Sequence, residues 1–263
     1  MTGAHWEGRV PGRLDGKTAL VTGGSRGIGR AISLALARQG ATVIVHYKAG
    51  ANQANSVVQS IRDAGGLAVA VGADFSEDDA PRQLVEQVTR ILQAYIGEPT
   101  LDILVNNAGI GLRSRIDTVT PDDFDRVLKV NLRTPFFLIQ QCLAILKDHG
   151  RIINISSMGT RAAYPEMSVY APAKAALEAL TLLLASDLGP RGITVNAVLP
   201  GATATDLNPR ARDPELSQQI IPTVALRRIG QPEDVADIVA FLASHEARWI
   251  TGQRIDASGG QRI

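Results

Sequence analysis

The sequence predicts an α/β fold: one doubly wound parallel sheet with helices on both faces. Three observations carry that prediction. Short apolar runs alternate with longer segments of helical periodicity from Lys17 onward, with no repeat, low-complexity tract or linker between them. The runs are apolar nearly throughout rather than at every second residue, as in parallel strands covered on both faces. A glycine-rich turn, Gly23-Gly24-Ser25-Arg26-Gly27-Ile28-Gly29, follows the first run directly. In open sheets of this kind ligands bind at that edge, outside the carboxyl ends of the strands.

Taken in order, Thr18 to Thr22 reads as a strand and Gly27 to Gln39 as the helix after the turn. Thr42 to His46 with Asn52 to Ala64, and Leu67 to Gly72 with Ala80 to Tyr95, make two more strand–helix pairs. Leu101 to Asn106 is the next strand. A long helix is expected from Pro121 to Lys147: Thr120 suits the N-cap, Pro121 the first helical position, and Asp122 and Asp123 the positive end of the dipole. Arg151 to Ser156 and Ile193 to Leu199 read as strands on either side of a helix from Ser168 to Leu188. Residues 202–227 form a loop with helical character, Pro232 to Ser244 the last helix and Gln253 to Ala257 the last strand. Residues 1–13, polar and glycine-rich around Trp6, read as a flexible leader to one domain over residues 14–263. The leader lacks the apolar core of a signal peptide, and no later run reaches the length of a membrane span.

With 45% hydrophobic content in 263 residues, the chain can bury a large core. Its 27 Lys+Arg nearly balance 26 Asp+Glu, which gives no support to a nucleic-acid or membrane-surface partner. A single cysteine, Cys142, excludes an internal disulfide framework and fits a reducing compartment, so a cytoplasmic protein is expected. His5, His46, His149 and His245 have neither mutual nor cysteine-partnered spacing that would hold a metal.

Tyr170 and Lys174 stand four apart, on one side of a helix. A charged Lys174 favours phenolate over phenol, so Tyr170 is expected to titrate below the usual value of about 10. Such a phenol exchanges a proton near neutral pH. Taken alone, the pair is also a common surface arrangement. Ser157 ends an apolar run, where a hydroxyl faces a pocket. Asn131 falls among Phe124, Val127, Leu128, Leu132 and Phe136, so its amide needs a partner. Pro135, four residues on, has no N–H to give the Asn131 carbonyl, and a kink with a free acceptor is expected there. Pro172 is tolerated only in a first turn, which puts the start of its helix no more than about three residues before it.

Thr22-Gly23-x-x-x-Gly27-Ile28-Gly29, Asn106-Asn107-Ala108-Gly109, Asn131, Ser157, Tyr170-x-x-x-Lys174 and Pro200-Gly201 stand in the order and near the separations of the short-chain dehydrogenase/reductase family, which the chain resembles from about Leu14 to Gly260. The resemblance extends to Arg228-Ile229-Gly230-Gln231-Pro232 and Ile250-Thr251-Gly252-Gln253. It implies a Rossmann fold and a dinucleotide-dependent oxidoreductase, dimeric or tetrameric. It implies a catalytic set of Asn131, Ser157, Tyr170 and Lys174, with Ser157 and Tyr170 on the substrate oxygen, Lys174 on the ribose and Asn131 holding a water. Cofactor contacts are implied at Gly23, Ser25, Arg26, Gly27, Ile28 and Gly29. Asp74 with Phe75, and Asn107, Ala108 and Gly109, are implied on the adenosine side, with Tyr170, Lys174, Pro200, Gly201, Thr203 and Thr205 on the nicotinamide side. The second strand runs into His46-Tyr47-Lys48 without the carboxylate of an NAD site, and His46 and Lys48 are expected among the cofactor contacts there. Arg26 and Lys48 instead face a 2′-phosphate, so NADP(H) is expected over NAD(H), unless Arg26 is a solvated loop charge.

The expected reaction moves hydride between the nicotinamide and a carbonyl or secondary alcohol, with a ketone or 3-oxoacyl group as substrate. The chain as a whole resembles 3-oxoacyl-carrier-protein reductases and related sugar, polyketide and small-ketone reductases. An NAD-dependent alcohol or sugar dehydrogenase of the same family is one alternative, and a silent nucleotide-binding regulator another. Pocket walls are expected from Gly111 to Arg115, Met158 to Met167 and a lid over Ala202 to Thr223. A basic rim for an acidic carrier protein would need Arg113, Arg115, Arg161 and Arg191, interrupted by Asp148. Leu177, Leu180, Leu184 and Leu188 are spaced for a packed face, and a homotetramer or homodimer is the assembly the resemblance implies.

Overall fold

The computed structural model describes residues 13–262, so the rest of the leader and Ile263 lie outside the described residues. Seven parallel strands form one sheet in the order β3-β2-β1-β4-β5-β6-β7. They are β1 (Thr18–Val21), β2 (Thr42–Tyr47), β3 (Ala68–Gly72), β4 (Leu101–Asn106), β5 (Leu146–Ile155), β6 (Thr194–Pro200) and β7 (Arg254–Ala257). The order reverses between β1 and β4, which opens a crevice at their carboxyl ends.

The continuous apolar character of the strands is explained by the two layers that cover them. On one face α1 (Gly27–Arg38), α2 (Ala51–Asp63) and α9 (Pro232–Ala243) pack Ile32, Leu36, Val57, Ile61, Val235 and Val239 against Val43, Val45 and Val105. On the other, α3 (Ala80–Ile96) and α5 (Thr134–Cys142) pack Leu84, Val88, Leu138 and Cys142 against Leu20, Leu104 and Ile152. Among the described residues, no helix is long and apolar enough to cross a membrane.

The helix expected over Pro121 to Lys147 is three pieces. α4 (Pro121–Leu128) starts as its residues suggest, with the Thr120 hydroxyl accepting the Asp123 N–H at 3.2 Å. A π-helical turn follows over Lys129–Arg133, closed by the Thr134 N–H on the Lys129 carbonyl, and α5 ends at Cys142. The irregularity surrounds Asn131, where Pro135 withholds a donor. Beyond Cys142 the expectation fails. Leu146 is buried and pairs with Leu101, and the Leu101 N–H donates to the Ile145 carbonyl at 2.7 Å. The strand pairing overrides local helical preference, so β5 begins five residues before Arg151.

α6 (Tyr170–Asp187) begins two residues before Pro172, within the limit that proline sets. Two short helices, α7 (Pro209–Arg212) and α8 (Pro214–Ile220), occupy the segment after β6. Residues 258–262 fasten that segment. Gln261 accepts the Ala202 N–H at 2.8 Å, and the Arg262 N–H donates to the Thr223 carbonyl at 2.8 Å.

Candidate active site

The site lies at the carboxyl edge of the sheet, where β1, β4, β5 and β6 end. Ser157 follows β5 in extended backbone and caps a one-turn helix, its hydroxyl oxygen accepting the Gly159 N–H at 3.1 Å. That leaves its O–H to donate. Tyr170 opens α6 with Ser157 close enough to draw its phenol's pKa down. One turn on, the buried Lys174 Nζ lies 5.9 Å from the Tyr170 ring centroid and donates to the Ile155 carbonyl at 2.9 Å.

Asn131 reaches the same place from the π turn. Its side chain is fully buried and fully used: Oδ1 accepts the Ile110 N–H at 3.2 Å, while Nδ2 donates to the Ile110 and Val127 carbonyls at 2.9 and 3.1 Å. The side chain therefore braces the loop after β4, and only the backbone carbonyl is suited to hold a water. Gly109 marks the convergence. A Cβ there would stand 2.7 Å from Asn131 Oδ1 and 3.4 Å from Lys174 Nζ.

Across the crevice, the glycine turn joins β1 to α1. Gly23 and Gly27 take positive φ (63° and 52°), which side chains other than glycine's rarely adopt. At Gly29 a Cβ would meet the Gly23 carbonyl and stand 2.5 Å from Asn107 Nδ2. Backbone and helix N-terminus are thus open to a diphosphate, and the residues present fit a dinucleotide. Thr22, which carried no signal beyond its place before Gly23, knits the turn to β4 by accepting the N–H groups of Asn107 and Ala108 at 2.9 Å each. Thr205, at the start of the lid, faces Gly27 across the crevice.

Comparison with known proteins meets this geometry. A family model described as enoyl-(acyl carrier protein) reductase matches residues 23–262. The versicolorin reductase of Emericella nidulans is 40% identical over 260 residues, covering 94% of this chain and 96% of its own. The chain belongs to the short-chain dehydrogenase/reductase family. As a short-chain dehydrogenase/reductase it is an NAD(P)-dependent oxidoreductase working between carbonyl and hydroxyl groups. Two solved structures are similar along its length. The angucycline C-6 ketoreductase LanV with bound NADP has a TM-score of 0.92 and 46% identity, covering 95% of this chain and 97% of that one. The promiscuous reductase LugOII, which catalyses keto-reduction at C1 during lugdunomycin biosynthesis, has a TM-score of 0.92 and 45% identity, covering 95% of this chain and 100% of that one.

Within this short-chain dehydrogenase/reductase, several expectations change. Tyr170 does not titrate low in this structure: burial pushes its phenol up, and Ser157 pulls it back only in part. Lys174 itself falls to about 8 because it is buried, with Glu178 working the other way. Its ammonium is held by Ile155 rather than on the phenol oxygen. His46 is not in the crevice. It is buried behind the glycine turn, accepts the Gly23 N–H on Nδ1 at 3.1 Å and bonds the Ala73 carbonyl through Nε2 at 3.0 Å. Phe75 is buried too, stacked on His46 with ring centroids 4.3 Å apart.

Lys48 is paired with Asp74 at 2.9 Å rather than left for a phosphate. Asp74 also accepts from Ser76, and these contacts, Ser76 first, hold its carboxyl down at about 2. Arg26 is exposed and forms no ion pair among the described residues. Asn107 spends its amide on the Thr22 and Gly23 carbonyls at 2.8 and 3.2 Å, bracing the turn from behind. Pro200 ends β6, and the buried Thr203 donates its hydroxyl to the Gly201 carbonyl at 3.1 Å. Ser25, Ile28 and Ala108 lie half-buried along the crevice.

Three of the four arginines of the expected basic rim are paired with carboxylates, and Arg115 is exposed with no ion pair among the described residues. Arg113 pairs with Glu166 and Arg161 with Asp256, each at 2.9 Å. Arg191 pairs with Asp148 and caps the carbonyls of Leu143 and Leu146, at the opposite end of the sheet from the site.

Proposed function

We propose that this enzyme is an NADP(H)-dependent ketoreductase of polycyclic aromatic ketones. The observation that carries the reading is the meeting of two hydroxyls, Ser157 and Tyr170, beside a buried ammonium at the mouth of a dinucleotide crevice. Bound NADPH supplies the hydride. Ser157 and Tyr170 donate hydrogen bonds to the substrate oxygen, where negative charge builds as the carbonyl is reduced. Tyr170 gives that oxygen its proton. The burial that raises the phenol keeps it protonated at neutral pH, which is the form reduction needs. Lys174 lowers the cost of the phenolate left behind and holds the ribose, and a water on the Asn131 carbonyl returns the proton.

The preference for NADP(H) rests on Arg26, exposed on the turn, and on the absence of a carboxylate at the end of β2. A guanidinium there offers a phosphate two parallel hydrogen bonds. Support for an aromatic substrate comes from the walls. Met158, Tyr164 and Met167 line the loop after Ser157, with the Tyr164 hydroxyl 3.5 Å from the Met158 sulfur. Leu207 of the lid approaches Gly111 on the other side. The versicolorin reductase, the angucycline C-6 ketoreductase LanV and a probable tetrahydroxynaphthalene reductase of Zymoseptoria tritici among the similar proteins support this reading.

We also infer a cytoplasmic homodimer or homotetramer. A groove of about 690 Å³ between α4, α5 and α6 is lined by Leu128, Leu132, Phe136, Phe137, Leu180 and Leu183. Such an apolar face is self-complementary about a two-fold axis, with Asp125 at its margin beside Lys129 and Arg133, which are paired with Asp78 at 3.0 Å each.

The deciding experiment is NADPH oxidation with a panel of polycyclic aromatic ketones, 3-oxoacyl thioesters and sugars. Turnover of the ketones is expected, with Tyr170→Phe lowering kcat by about 10²- to 10⁴-fold at unchanged NADPH affinity. Turnover confined to thioesters overturns the substrate class. Cofactor binding with no turnover on any of them favours a silent binding protein.

A further inference from the structure

Glu178 has no part in the scheme above, yet it is 4% exposed and one helical turn beyond Lys174. A buried carboxylate is costly unless it is paired and hydrogen-bonded. Glu178 is both. Its Oε1 accepts the Ser156 hydroxyl at 2.5 Å, and its Oε2 lies 3.7 Å from an Arg254 guanidinium nitrogen on β7. Ser156, also buried, approaches the Lys174 carbonyl at 3.4 Å through the same hydroxyl. It stands between Ile155, whose carbonyl holds the Lys174 ammonium, and Ser157.

We propose that Glu178 is a positioning residue of the catalytic set: through Ser156 it clamps the end of β5 to α6, with its charge one helical turn from Lys174. The clamp sets the separation between Ser157 on one element and Tyr170 and Lys174 on the other. This inference rests on the roles given to those three residues above. The ionisable groups that meet the clamp are Lys174 on α6 and Arg254 on β7. Asn131 and Gly109 bring neutral groups from the remaining sides. Burial drives Lys174 down to about 8, and the charge of Glu178 opposes it. Removing that charge lowers Lys174 further, so the ammonium is lost sooner as pH rises.

Two substitutions separate the clamp from the charge. Glu178→Gln keeps an oxygen for Ser156 and removes the charge, whereas Ser156→Ala does the reverse. In ketone reduction, Glu178→Gln is expected to move the alkaline limb of the kcat/KM–pH profile to lower pH. Ser156→Ala is expected to lower kcat by roughly tenfold or more, with that limb unmoved. NADPH affinity and thermal melting establish that each variant is folded. Glu178→Asp serves if Glu178→Gln does not fold, and its limb is expected near that of the parent enzyme with kcat reduced. A parent-like kcat and limb in both Glu178→Gln and Ser156→Ala overturns the proposal. An active Tyr170→Phe overturns instead the catalytic roles it rests on, whatever the Glu178 variants do.

Discussion

His46 should make the stability of this protein fall as acid is added, well above the pH at which carboxylates titrate. In the folded chain its Nδ1 accepts the Gly23 N–H, so the ring is neutral with the proton on Nε2, facing the Ala73 carbonyl. Burial lowers its pKa from 6.5 to about 4. Below 6.5 the unfolded chain binds a proton that the folded chain refuses, so stability is intact above that value and drains away as pH falls toward 4. At about 1.4 kcal/mol per pH unit, the gap amounts to about 3 kcal/mol, of which about 2 kcal/mol is lost between about pH 7 and pH 5. The comparison to make is urea unfolding of the parent and His46→Phe across that range at fixed protein concentration. Phenylalanine keeps a ring against Phe75 and cannot titrate. It strands the Gly23 N–H and the Ala73 carbonyl, so the variant starts lower by about 1–3 kcal/mol per group. The difference between the two proteins should shrink by about 2 kcal/mol on the way to pH 5, since all other titrating groups are common to both. Parallel curves would show that His46 is not held neutral, and the account of the glycine turn would fail with it.

Three further outcomes follow from the geometry. Arg26→Ala should weaken NADPH binding by about 10- to 100-fold, the worth of a charge-assisted contact, and leave NADH binding nearly unchanged. Equal weakening of both cofactors, read by fluorescence titration, removes Arg26 from the 2′-phosphate. Gly29→Ala puts a methyl against the Gly23 carbonyl and the Asn107 amide, and cofactor binding should be lost while the circular dichroism of the sheet persists. A parent-like Kd would mean that the turn yields. Leu183→Asp, in the apolar groove, should shift the light-scattering mass to that of a monomer, and an unchanged mass places the interface elsewhere.

Most of the fold was legible because a parallel sheet writes its burial into the sequence: Val43-Ile44-Val45 and Ile103-Leu104-Val105 are apolar on both faces and read as little else. Local chemistry placed the ends that depend on local chemistry. Thr120 caps α4, and Pro172 fixes the start of α6. Leu146 was misread because its burial is set by pairing with Leu101, far away in sequence. The site shows the same division. Spacing brings Ser157, Tyr170, Lys174 and Asn131 to one place, but no spacing reveals that His46 points behind the glycine turn or that Asp74 takes Lys48. The acidity of Tyr170 was misjudged for a related reason, because sequence shows the neighbouring charge and not the depth of burial. Glu178 did leave a trace, four residues from Lys174 on the same helical face.

The π turn at Lys129–Arg133 has a bearing on how this helix tolerates change. One residue too many for an α-helix is wound into it, so everything downstream is rotated by about 100° from the register that α4 would otherwise impose. In the present register Leu138, Ile139 and Cys142 face the sheet, and Phe136 and Phe137 face outward. Deleting a single residue from the turn would let the helix run straight and swing both sets off their targets. Insertions and deletions, elsewhere absorbed by loops, would be felt here in the core and on the outer surface alike. Relatives that differ in length between Thr120 and Cys142 should therefore differ by whole turns.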